Sequence, residues 1–152
     1  MDEILKQKIT EILDQNRIMT VATNRPDGWP QATTVGYVNI GLTLYFLCSA
    51  QSQKAENIAR DQRISLTIGH DISEPMAIKG LSMAAVAQLL QSPAEISKAI
   101  SLFPSEYEFR TVDLYEVLVF RVVAKVISVL DYSLGFGHAD LITICPDDPP
   151  NC

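Results

Sequence analysis

An α+β fold, a mostly antiparallel split β-barrel with peripheral helices, is the architecture this sequence predicts. Three observations carry the prediction. Short runs of β-branched and aromatic residues recur between Gly, Pro and Asn turn signals. Three further segments show helical spacing with their own start signals. Seven strand-like runs in only 152 residues leave too many edges for an open sheet, and closure removes them.

The elements follow in order. Residues 2–15 read as a helix, with Asp2 as cap and Leu5, Ile9, Ile12 and Leu13 on one face. Residues 17–23 read as a strand. Pro26-Asp27-Gly28 then suits a tight turn, because Pro fixes φ and Gly admits positive φ. Residues 31–40 and 42–48 are two more strands around a turn at Gly41, completing a meander. A short helix is predicted over 52–61 and a strand over 63–69. Residues 76–90 read as a long strand with a bend at Gly80. A helix over 81–91 competes, since Ala, Met, Leu and Gln favour it. Ser92, Pro93 and Glu95 form a capping box ahead of a helix that runs to about 103, where Pro104 ends it. Residues 115–131 form a β-branched strand, 132–138 a turn, 139–145 a last strand, and 146–152 a polar, frayed tail. No linker or repeat interrupts the chain, so 1–152 reads as a single domain.

Composition narrows the function. Hydrophobic residues make up 47% and mean hydropathy is +0.13. No apolar run reaches membrane-spanning length, and Arg121 and Lys125 interrupt the longest. The apolar surplus is better used on a subunit interface. A net charge of −6 argues against nucleic acid as the main partner. The charged N-terminus lacks a secretory apolar core. Three cysteines, Cys48, Cys145 and Cys152, form no CxxC and fit free thiols in a reducing cytoplasm.

The stretch CSAQSQKAEN, residues 48–57, raises a question of chemistry. A strand ends, and a helix opens with Lys54 in its first turn, where the helix dipole disfavours a cation. An anion held between them resolves the conflict. Unpaired N–H groups at the helix start, the hydroxyls of Ser49 and Ser52, the Gln53 amide and the Lys54 ammonium together suit a phosphate monoester. A Ser-capped helix with a solvated lysine explains the same residues. On the second strand, Gly36 within Thr33-Thr34-Val35-Gly36-Tyr37 weakens a strand interior and marks close approach by a ligand or backbone, or a barrel corner. A flat ring on that strand and a phosphate after the third describe flavin mononucleotide (FMN).

Residues 18–68 resemble the core of the pyridoxamine 5'-phosphate oxidase-like family, the flavin-binding split barrels. The matching features are Thr20-Val21-Ala22-Thr23 followed by Asp27-Gly28 and Pro30-Gln31, the strand ending before Ser52 and Lys54, and Asn57 ahead of Arg63-Ile64-Ser65-Leu66. The ending LDYSLGFGH, residues 130–138, extends the resemblance, which covers roughly residues 15–142. It implies a homodimer with two FMN molecules in grooves between subunits. It places Thr33 to Val38 against the ring and ribityl chain and Cys48 and Ser49 beside the phosphate path. Ser52, Gln53 and Lys54 would hold the phosphate, and Gly80 to Ser82 would approach the ring from the partner subunit. The vitamin-processing oxidases carry Arg, Lys and Arg where this chain has Thr33, Val38 and Gln53, so Lys54 is the strong cation left, with Arg60 or Arg63 as possible substitutes. Their Arg-rich C-terminal stretch has no counterpart after Leu130, so pyridoxamine phosphate is not the expected substrate.

Other residues add less. His70, Asp71, His138, Asp140 and Cys145 lack metal-ligand spacing. His138 and Tyr132 are candidates for a substrate or proton-relay role, and Trp29 for a hairpin tip or interface. The expected function is an FMN-dependent oxidoreductase acting on a small molecule. The alternatives are a deazaflavin-dependent reductase and a flavin- or haem-binding protein without turnover.

Overall fold

The computed structural model describes residues 2–105 and 116–144. Its strands are β1 (Ile18–Asn24), β2 (Pro30–Ile40), β3 (Thr43–Ser49), β4 (Arg63–Gly69), β5 (Lys79–Leu89), β6 (Val117–Asp131) and β7 (Ala139–Thr143). Six of them form a closed antiparallel barrel in the order β1-β2-β3-β6-β5-β4, and β7 is added beside β6. The length of β6 has a clear use. One of its edges pairs first with β3, over Val117–Val122, and then with β7, over Val126–Leu130, while the other edge pairs with β5. A bulge separates the halves: Ala84 faces Val126 but Ala85 faces Ala124, so Lys125 is the extra residue. The slip shifts the inward phase from Phe120, Val122 and Ala124 to Ile127 and Val129.

The core is built from alternating strand residues. Met19 and Val21 of β1, Ile64, Leu66 and Ile68 of β4, and Leu81, Met83, Ala85 and Ala87 of β5 are all buried. Phe46 stacks on Phe120 across the closing pair, with centroids 5.2 Å apart. Helix α1 (Glu3–Gln15) plugs one end of the barrel with Ile9 and Leu13, both fully buried. Helix α2 (Gln53–Arg60) covers the opposite end with Ala55, Asn57 and Ile58. Helix α3 (Pro93–Ser101) lies outside, where Ile96, Ala99 and Ile100 pack near Tyr45, Leu47 and Val119.

Four expectations are refined. The helical alternative over 81–91 gives way to strand, because β5 has partners on both edges. That strand starts at Lys79, not Met76, since Pro75 opens a 3-10 turn (Pro75–Ala77) and has no N–H for a ladder. Ser92 does precede α3 with Pro93 behind it, but its hydroxyl makes no capping bond, so the capping box is not formed. Helix α3 ends at Ser101, two residues before the expected 103. The predicted start of β6 at 115, the tail 146–152, and Cys145 and Cys152 lie outside the described residues. No helix among the described residues is long and apolar enough to cross a membrane.

Candidate functional site

Strand β3 leaves the barrel at Ser49, and a tight turn feeds α2. The Ser49 carbonyl accepts the Ser52 N–H (3.1 Å) and the Ser52 hydroxyl (2.7 Å), while Ser49 Oγ accepts the Gln51 N–H (3.2 Å). Ser52 Oγ in turn accepts the Ala55 N–H at 3.2 Å, so Ser52 is the N-cap. Its hydroxyl is therefore occupied both as donor and as acceptor. The N–H groups of Gln53 and Lys54 have no partner among the described residues. Lys54 is half-buried and has no carboxylate partner among the described residues. Gln53 turns along the helix instead: its Nε2 donates to Glu56 Oε2 (3.2 Å) and Asn57 Oδ1 (2.9 Å).

Cys48 points into the barrel beside this turn. Burial pushes its thiol up, and the Ser52 hydroxyl and Lys54 ammonium only partly counter that. The sulfur is thus a neutral thiol at neutral pH and a poor nucleophile.

Strand alternation divides the predicted ring-contacting residues between two faces. Thr33 and Val35 lie opposite Val21 and Met19, and with Tyr37 they point inward. Thr34, Gly36 and Val38 point outward. Tyr37 is buried, and its hydroxyl donates to the Leu13 carbonyl of α1 at 2.7 Å. Burial, helped by the Asp14 carboxylate, pushes the phenol up to about 12. Thr33 Oγ1 is buried with no hydrogen-bond partner in the structure. A buried hydroxyl left in this way costs about 1–3 kcal/mol.

The outer face carries small side chains. Thr34, Thr20, Thr67, Ser82 and Ser128 form one rung across five strands, and Ala32, Ala22, Ser65, Ala84 and Val126 form the next. Thr34 and Ser82 are three strands apart, roughly 14 Å at normal strand spacing. Within one chain they do not share a ring-sized site. Gly80 has a local reason: a Cβ there would sit 2.6 Å from the Ile68 carbonyl oxygen of β4.

The remaining candidates sit apart from the α2 turn. Arg63 is held by Asp61 at 2.8–2.9 Å, and those bonds keep the Asp61 carboxyl far below the usual carboxylate range. Arg60 lies six residues beyond Lys54, about 9 Å along the helix axis. His138 and Tyr132 lie at the α1 end of the barrel, with Nε2 of His138 3.4 Å from Asp140 Oδ2 and the Tyr132 ring edge-on to Phe136. A cavity of about 250 Å³ opens nearby, between α1 and His70, Lys79 and Asp131. Trp29 is 71% exposed at the β1–β2 tip. Among the described residues no three His, Cys, Asp or Glu side chains converge as a metal site.

Sequence reasoning gave one residue of the family pattern no role of its own. Asn57 is fully buried, and its Nδ2 donates to Thr23 Oγ1 (2.9 Å) and Gln31 Oε1 (3.2 Å). The available signal was a polar residue beside Ala55 and Ile58 on the apolar face of a very short helix.

Comparison with known proteins agrees with this fold. Residues 5–126 match the family model described as pyridoxamine 5'-phosphate oxidase. General stress protein 26 of Bacillus subtilis is 30% identical over 67 residues, covering 44% of this chain and 47% of that protein. The chain thus matches about half the length of that curated relative. A putative pyridoxamine 5'-phosphate oxidase from Listeria innocua superposes with a TM-score of 0.72 at 25% identity, over 84% of this chain and 98% of that one. A haem-binding protein of Mycobacterium smegmatis superposes with a TM-score of 0.77 at 22% identity, over 91% of this chain but 57% of that one, a likeness of fold. With the family model spanning β1 to β5 in full and most of β6, this chain belongs to the pyridoxamine 5'-phosphate oxidase-like family.

Proposed function

We propose that the chain binds flavin mononucleotide and acts as a cytoplasmic oxidoreductase on a small molecule, as a homodimer that shares its cofactor sites between subunits. The observation that carries the reading is Lys54: a half-buried cation without a carboxylate partner among the described residues, set beside two free N–H groups at the start of α2. Those donors fit a phosphate dianion. Lys54, the Gln53 and Lys54 N–H groups and Ser49 would hold the phosphate. Main-chain groups around Thr34 and Gly36 would meet the ring, with Ser82 contributed by the second copy. Bound there, FMN supplies hydride or electron transfer. The protein's share is to bind, orient and shield it from water.

The test compares FMN with riboflavin, which has the same ring and no phosphate, by quenching of flavin fluorescence. The wild-type protein should prefer FMN. Lys54→Ala should weaken FMN binding by on the order of 10- to 100-fold, the worth of one charge-assisted bond, and leave riboflavin binding nearly unchanged. Equal loss for both ligands would place Lys54 elsewhere in the mechanism.

A second reading, a flavin- or haem-binding protein without turnover, has specific support. The Ser52 hydroxyl and the Gln53 amide are occupied within the chain, so fewer side chains grip a phosphate than the sequence suggests. A relative of the same fold is a haem-binding protein. Protein that holds FMN yet stays oxidised with reduced nicotinamides would favour this reading.

A further inference from the structure

We infer that Asn57 is a positioning residue that sets the first turn of α2 for phosphate recognition, with Gln53 acting as part of that brace and not as a ligand. The inference rests on the FMN-binding reading above. Asn57 and Thr23 are the buried polar residues among the described side chains, and Asn57 has no exposure at all. A carboxamide so buried is costly unless it is satisfied. Here three of its bonding positions are filled by three different elements. Nδ2 donates to Thr23 of β1 and to Gln31 of β2, and Oδ1 accepts from Gln53 in the first turn of α2.

The need for a brace follows from the helix itself. Eight residues form too short a helix to hold its own shape in water, so its position must come from tertiary contacts. Ala55 and Ile58 supply apolar contact, which fixes depth but not direction. The Asn57 amide adds direction. It ties the turn that presents Lys54 and the free N–H groups to the strand that continues from Gln31 to Thr33, whose hydroxyl is orphaned. Gln53 is four residues before Asn57, on the same helix face, and its amide is held along the helix by Asn57 and Glu56. The residue that the family resemblance aligns with a phosphate-binding arginine has become part of the support.

The experiment reads the ratio of FMN to riboflavin affinity in the full chain. Asn57→Leu should lower that ratio about tenfold. Thr23→Val, close in shape and missing only one acceptor, should lower it in the same direction by less. This milder variant decides the matter if Asn57→Leu fails to fold. Gln53→Ala should also lower the ratio, and its effect should largely vanish in the Asn57→Leu background, since the two act through one contact. A ratio unchanged in folded Asn57→Leu and in Thr23→Val overturns the inference, as does full additivity of Gln53→Ala with Asn57→Leu, which would make Gln53 a direct ligand. A wild-type protein with no preference for FMN overturns the FMN reading first, and this inference with it.

Discussion

Tyr37 shows how one residue near the proposed site serves the fold. Its hydroxyl joins β2 to the last turn of α1 through the Leu13 carbonyl, and burial holds the phenol protonated up to about pH 12. An unfolded tyrosine ionises near 10. The folded pKa is the higher one, so the contribution is complete below pH 10 and is lost as pH rises through 12. Unfolding in urea should show stability falling across that alkaline window. Tyr37→Phe should remove this part of the pH dependence and cost about 1 kcal/mol at neutral pH, the net worth of the bond. Cys48 makes the complementary point. Its thiol is pushed up by burial, so it should react with iodoacetamide at pH 7 far more slowly than a free cysteine, read by mass of the Cys48 peptide.

The pairing of β4 with β5 is where an element depends most on a single atom. Gly69 and Gly80 face each other, and any Cβ on Gly80 would run into the Ile68 carbonyl. Gly80→Ala should therefore destabilise the barrel by about 1–3 kcal/mol, measured as a lowered melting temperature. Unchanged stability with weakened flavin binding would instead mean that Gly80 serves the ligand. At this scale the sequence was informative wherever a local signal existed. The strand at 63–69, the β-branched run over 117–131, the Pro-Asp-Gly turn and the helix face of Leu5, Ile9 and Leu13 all match observed elements. The faces of β2 were not legible. Thr33, Thr34, Val35 and Gly36 are all small, so hydrophobic alternation could not say which of them turns inward. Only pairing with Met19 and Val21 settles it. Ser52 and Gln53 carried the right chemistry for a phosphate, but a sequence cannot show that their polar groups are already occupied at 2.7–3.2 Å.

For the whole molecule, the barrel closes its own edges and leaves one broad outer face of Ala, Ser and Thr on β1, β2, β4 and β5. The proposed homodimer would use that face, which fits the apolar surplus of the composition. Thr67→Arg places a long cation in its middle, where Thr67 is exposed in the single chain. Light scattering should find the wild-type protein at twice the chain mass and the variant at the chain mass, with FMN binding lost alongside. A wild-type monomer that still binds FMN would confine the site to one subunit. The most direct test of the central claim is the visible absorption spectrum of the purified protein, taken before and after excess FMN and desalting. A retained flavin spectrum in the wild type, absent in Lys54→Ala, is the predicted result. A wild-type protein that emerges colourless, with no flavin retained, would contradict it.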